Sequence, residues 1–317
     1  MLRSFNIQDL ALLKKYQQQI LFLHNQSVLT RGPASLSRAA WLSPLASLAG
    51  IFTYVYDANG NTEPLLAQLQ HNIGSPLAQC RFLAPRDSLH VNGMVNIIEA
   101  LLAGVGERGA QSLIAEVVEE DSAFASLRQA GFSIYARQRV WQIDGAAANS
   151  TEKPENNWRP SFSSDQLAIH LLRNGLLPGQ VQQIESQDPS AAGYVYYRAG
   201  QLLAYCEVAR GPHGLWVQPF VHLDADPFEV AFAELVSKLR PRPSRPVFVC
   251  LRSYQDWLEG SLRRIGAQPG AYQASLARRT VKPLKVENKQ RLPVANRSAE
   301  PTMPIHAPIV AQRHEPE

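Results

Sequence analysis

The feature that most constrains this chain is an order of signals that occurs twice. In the first half a helical stretch, Glu99-Ala100-Leu101-Leu102 through Glu107-Arg108-Gly109, runs into the apolar strand Leu113–Val118. A second helix follows and ends at Gly131-Phe132, leading directly into another strand. In the second half AFAELVSKLR, PVFVCL and DWLEGSLRRIGA repeat the order, with Gly266-Ala267 at the place of the Gly-Phe pair. Helices with one apolar stripe and strands that are apolar throughout must cover one another. The doubled order therefore predicts an α/β (α+β) protein of two similar halves.

The pattern predicts a helix over residues 9–24, from the spacing of Leu10, Leu13, Ile20 and Leu21. Strands are expected at Ile51–Asp57, stopped by the turn dipeptide Asn59-Gly60, and at Leu65–Gln70 and Ala78–Leu83. The helix from Met94 is closed by Gly109, and the next is capped by Asp121 or Ser122 and stopped at Gly131 before the strand Ser133–Ile143. Residues 144–160 hold almost no large apolar side chain except Trp158 and read as a linker. Beyond it come a helix over Asp165–Gly175 and strands over Gly193–Gly200, Leu202–Arg210 and Leu215–Leu223. A helix over Pro227–Arg240, a strand over Pro246–Leu251, a helix over Asp256–Gly266 and a strand over Ala271–Arg279 complete the half. The expected organisation is 1–145, a linker at 146–160, 161–282, and a Pro-rich tail at 283–317 expected to be disordered.

Composition narrows the function. With 45% hydrophobic and 18% charged residues, each half can bury a core of its own without disulfide or metal. The net charge of +4 is spread along the chain with no basic block, so no nucleic-acid partner is expected. Cys80, Cys206 and Cys250 lie far apart and form no C-x-x-C pair, which leaves three buried thiols and no expected metal site. No stretch reaches membrane-spanning length, and the N-terminal apolar stretch is interrupted by Asp9, Lys14 and Lys15. The expectation is a cytoplasmic protein with no membrane partner.

The doubled order resembles the GNAT (Gcn5-related N-acetyltransferase) superfamily. There a central strand feeds a diphosphate-binding loop and helix, then a strand, then a helix ending in Gly-Phe. The resemblance implies two tandem GNAT-like domains, each a mixed, mostly antiparallel sheet flanked by helices, arranged as a monomeric pseudo-dimer or a homodimer. It implies acetyl-CoA as co-substrate and a small-molecule or peptide amine as acceptor. The family's loop has the form R/Q-x-x-G-x-G/A. Here Pro85 to Met94 keep at most Gly93 in either register, so the implied donor-binding residues are His90, Val91, Asn92, Gly93 and Met94. A helix N-terminus with free N–H groups is an anion site when the loop before it permits close approach. In the second half Asp224 and Asp226 stand where a phosphate needs donors and would repel it.

Many family members protonate the leaving thiolate with a tyrosine four residues before the Gly of Gly-Phe. Leu127 and Leu262 stand there in this chain, and an aliphatic side chain donates no proton. Tyr135 and the strand-end residues Glu116, Glu119 and Glu120 are the remaining acid–base candidates. Gly104-Val105-Gly106-Glu107-Arg108-Gly109 ends a helix before a strand, the reverse of a dinucleotide loop, and reads as helix termination. His222, Asp224 and Asp226 read as a helix approach and the aromatic strands around Tyr194–Tyr197 and Tyr205 as core. The resemblance implies acyl-CoA-dependent N-acyl transfer to an amine, and the alternative is a non-catalytic GNAT-like scaffold or CoA sensor. They differ in whether the loop Ser88–Met94 faces an open cleft or is filled by Leu89 or Met94. A weaker third reading has the two halves packed face to face and a protein bound through the tail.

Overall fold

The computed structural model describes residues 1–34, 47–57, 63–144, 157–185, 192–239 and 245–280. The first half comprises β1 (Leu2–Ser4), α1 (Leu10–Lys15), β2 (Leu21–Phe22), α2 (Asn25–Arg31), β3 (Ile51–Tyr56), β4 (Leu65–Gln70) and β5 (Leu77–Ala84). It continues with α3 (Val91–Glu107), β6 (Ser112–Val118), α4 (Ser122–Gln129) and β7 (Ser133–Ile143). The second half comprises β8 (Trp158–Pro160), α5 (Gln166–Leu176), α6 (Gly179–Ile184), β9 (Gly193–Arg198), β10 (Gln201–Arg210) and β11 (Leu215–Val221). It ends with α7 (Glu229–Leu239), β12 (Val247–Arg252), α8 (Glu259–Arg264) and β13 (Gln268–Arg279).

The strands form one continuous mixed sheet in the order β1-β3-β4-β5-β6-β13-β7-β12-β11-β10-β9-β8, with β2 added beside β5. Among the described residues, β5 with β6 and β11 with β12 run parallel and the other pairings are antiparallel. The order is a near-palindrome about the β13–β7 pair. The last strand of each half crosses into the sheet of the other: β13 lies between β6 and β7, and β7 lies between β13 and β12. The cores record the exchange. Ala274 and Leu276 of β13 pack with the first-half core under α3 and α4, and Trp141 and Ile143 of β7 pack with the second-half core under α7.

Local chemistry accounts for the helices. Buried Ile97, Ile98, Leu101, Leu102 and Val105 make the inner stripe of α3. Gly109 (φ +93°) and Gly131 (φ +83°) take the left-handed conformation after α3 and α4, and the Asp121 carboxylate accepts from the Ala123 N–H at 2.9 Å to cap α4.

Three expectations change. The helix expected over 9–24 ends at Lys15, and Leu21–Phe22 is a strand, because the chain there hydrogen-bonds to β5 instead of to itself. The linker expected over 146–160 falls outside the described residues up to 156, but Trp158–Pro160 is strand β8, with the Trp158 indole buried and donating to Ala231 O at 2.7 Å. The helix expected over Asp256–Gly266 begins as a 3-10 turn, Ser253–Leu258, and is α-helical only over Glu259–Arg264. The tail expectation lies outside the described residues.

Candidate functional site

In the first half the parallel ladder of β5 and β6 has three pairs, Leu77–Gln79 with Ser112–Ile114, and beyond them the strands part. The chain fills the gap with its own segment. Leu21 and Phe22 pair with Leu83 and Phe82, the Leu23 N–H donates to Arg81 O at 2.9 Å, and the Glu116 N–H donates to Leu23 O at 2.9 Å. Leu21 and Leu23 are buried, and Gln79 Nε2 adds a second bond to Leu23 O at 3.1 Å. The inward edges of both strands are thereby hydrogen-bonded to residues 21–23. An acyl-CoA arm laid between splayed strands needs those same backbone groups.

The five loop residues divide accordingly. His90 is exposed at the N-cap of α3 and makes no side-chain capping bond; Asn92 is exposed beside it. Val91 opens the helix. A Cβ at Gly93 would stand 2.4 Å from Ser88 O, so the glycine serves the close packing of the chain on itself. Met94 and Leu89 are buried in the first-half core. The positive end of the α3 dipole remains at His90. The nearby cation Arg86 is turned away from it, donating to both Asp121 carboxylate oxygens at 2.6 Å.

Glu116 and Tyr135 lie at the two ends of one polar row through the middle of the sheet. Glu116 Oε2 accepts from the Asn25 N–H at 2.8 Å and Asn25 Nδ2 at 3.0 Å, and Asn25 Nδ2 also donates to Gln273 Oε1 at 2.8 Å. Gln138 Nε2 donates to the same oxygen at 3.0 Å, and Gln138 Oε1 accepts from Ser275 Oγ at 3.3 Å. Arg252 donates to Ser275 Oγ and to Glu185, and the Tyr135 hydroxyl donates to Glu185 Oε1 at 3.0 Å. Burial, with Glu185 beside it, pushes the Tyr135 hydroxyl well above the ordinary phenol range, so its proton is held. Burial works against the Arg252 charge, and the Glu185 carboxylate together with Tyr135, Cys250 and Tyr254 overrides it. Glu119 stands apart, bound by Arg137 Nε at 2.7 Å, and Glu120 is exposed. Sequence reasoning missed Asn25, Gln138, Glu185, Arg252 and Gln273. The signal was present in Gln138 and Gln273, polar residues inside otherwise well-patterned strands.

The second half is built differently at the equivalent place. The β11–β12 ladder stops after Val217–Val249, and among the described residues no strand pairs into the gap beyond it. Gln255, buried, reaches across to donate to Val221 O at 3.1 Å, and the buried Tyr254 hydroxyl has no partner. Desolvation raises the Tyr254 hydroxyl above the phenol range, against the opposing pull of Arg252. The approach to α7 is acidic: Asp224 and Asp226 are exposed, the Asp224 N–H donates to His222 Nδ1 at 3.2 Å, and Glu229 is bound by Ser261 and Arg264, each at 3.1 Å. The aromatic strands are core, with Tyr196, Tyr205, Trp216 and Phe220 buried.

Solved structures share this architecture. A GCN5-related N-acetyltransferase from Sphaerobacter thermophilus superposes with a TM-score of 0.52 at 13% identity, over 88% of this chain and 95% of that one. A putative acetyltransferase from Pyrococcus horikoshii gives 0.51 at 9% identity, over 89% of each chain. The chain has the GNAT fold. A functionally unknown conserved protein from Staphylococcus epidermidis is also similar, with a TM-score of 0.51 at 12% identity over 71% of this chain and 95% of that one. No protein-family profile and no curated protein sequence matches the chain.

Within this GNAT fold, Leu127 and Leu262 are buried core residues of α4 and α8. Among the described residues no group of three or more His, Cys, Asp or Glu could hold a metal ion. No described helix is long and apolar enough to cross a membrane.

Proposed function

We propose that this protein is a GNAT-like scaffold or sensor whose first half has given up acyl-CoA binding. The observation that carries the reading is the residue 21–23 segment, hydrogen-bonded to β5 on one side and to the Glu116 N–H on the other. Opening that groove for a ligand breaks these backbone bonds and exposes the buried Leu21 and Leu23 side chains. The filled core under the loop, with Leu89 and Met94 inside, supports the same reading. The chemistry lost with the groove is donor positioning, on which transfer of an acyl group depends.

A second reading has its own observation. The β11–β12 gap admits no chain segment among the described residues, and the unpartnered Tyr254 hydroxyl lies beside β12. On this reading the second half takes acetyl-CoA, Tyr254 protonates the departing thiolate, and the protein is an acyl-CoA-dependent N-acyltransferase on a small-molecule or peptide amine in the cytoplasm. The acidic approach to α7 weighs against it.

Calorimetric titration with acetyl-CoA separates the two. His90→Asp places a carboxylate at the head of α3, and Asp is itself a good N-cap residue, so the helix is not weakened. The scaffold reading expects no saturable heat from either protein. Saturable binding that His90→Asp leaves unchanged moves the donor to the second half; binding that His90→Asp abolishes places it in the first and overturns the proposal.

A further inference from the structure

Next to the first-half gap, α2, the starts of β3 and β5 and the ends of β4 and β10 line a half-open cavity of about 360 Å³. Its walls carry Arg31, Arg210 and His24 with the polar side chains of Gln70, Asn72 and Gln79 and, among the described residues, no aspartate or glutamate. Two residues on from Gln79, where the β4–β5 register shifts, lies Arg81, which is 2% exposed and close enough to Arg31 and His24 for its charge to act on both. Its Nε and Nη1 are buried with no hydrogen-bond partner.

A buried guanidinium without a counter-charge is among the least favourable arrangements a fold can hold. Burial, and then the neighbouring Arg31 charge, bring Arg81 down to about 10, which leaves it protonated at neutral pH. His24 is desolvated, and Arg81 and Arg31 disfavour its charge while Glu116 favours it. Glu116 itself is held by the Asn25 N–H groups. Arg31, Arg210 and His24 thus line one cavity with Arg81 near them, and among the described residues no acid stands in its walls. The cavity lies within the range of small-molecule sites, which begins at about 300 Å³.

The geometry points to a binding site for a small oxyanion-bearing molecule, carboxylate or phosphate, held by Arg31 and Arg210 at the cavity wall and by the field of Arg81 behind it. The ligand supplies the counter-charge that the fold omits, and a guanidinium suits either oxyanion. The site borders the first-half groove at the start of β5, at the other end of that strand from the loop before α3, and because it is probed with molecules that carry no thioester its fate leaves the scaffold reading untouched.

The test is calorimetry of the full chain at low salt with inorganic phosphate, citrate and glucose 6-phosphate, none of which carries a thioester. Saturable binding of at least one is expected, with the thermal midpoint rising as that probe is added. Arg31→Ala, an exposed position, should weaken it about ten-fold, the loss of one charge-assisted bond. Arg81→Met should weaken it as well while leaving the unliganded protein at least as stable, since it removes an unpaired buried charge. A response to citrate alone assigns a carboxylate ligand, and a response to the phosphates alone a phosphorylated one. No saturable binding by any probe, or binding that both substitutions leave intact, overturns the proposal.

Discussion

Asp165 shows how much one side chain carries. Its carboxylate accepts from both Arg159 Nη atoms at 2.7 Å, from the Phe162 N–H at 2.8 Å and from the Tyr197 hydroxyl at 3.1 Å. The same device recurs at Asp9, which takes two bonds from Arg3 at 2.6 and 2.7 Å and the Asn6 N–H at 2.9 Å. The six-residue spacing of Arg3 to Asp9 recurs from Arg159 to Asp165, but two common residues at one spacing carry little weight in a sequence without strands β1 and β8 to place them. The Arg159 bonds, chiefly, hold Asp165 at about 2, well below the usual carboxylate range. A depressed carboxylate stabilises above its unfolded value and loses that contribution as pH falls. Stability should therefore drop between about pH 4 and pH 2. Asp165→Asn should flatten that acid limb and lower neutral-pH stability by about 1–3 kcal/mol, read by urea melts across pH. The three free thiols behave oppositely. Burial pushes Cys80 and Cys250 up to about 12 and Cys206 well up, so none should react with a thiol reagent at neutral pH until urea unfolds the chain.

At the scale of elements, strands were legible where apolar residues run together, and β3, β4, β6 and β7 fall where the pattern puts them. The segment after Lys15 was not. Its Leu and Ile spacing is helical, but Leu21–Leu23 gains backbone partners on β5 and β6 that lie some sixty and ninety residues away in sequence, as in Leu23 to Arg81 and Leu23 to Glu116. Such non-local pairing overrides local preference and leaves no local trace. Helix α6, six residues long, was too short for periodicity to register. If the segment is an integral part of the core, Leu23→Ala should cost about 2–5 kcal/mol in a urea melt. Asp121→Ala, which removes the α4 cap and frees Arg86, should cost about 1 kcal/mol. A loss at Leu23 no larger than at Asp121 would mean that the segment rests on the sheet surface.

For the whole molecule, the duplication was legible and the exchange of β7 and β13 was not, because an apolar strand pattern does not name its neighbour. The polar row from Glu116 to Tyr135 exists only through that exchange, since Gln273 and Ser275 arrive on β13 and Gln138 on β7. Each half borrows a central strand, so residues 1–144 alone should lack a cooperative thermal transition and regain one on mixing with residues 157–282. A fragment that melts cooperatively by itself would show the exchange to be dispensable. Closure of the first-half groove by its own chain is read by amide hydrogen exchange at Leu23 and Glu116, with and without excess acetyl-CoA. Both amides should exchange slowly, at rates acetyl-CoA does not change; exchange at the rate of a free peptide, or release of either amide by acetyl-CoA, would contradict it.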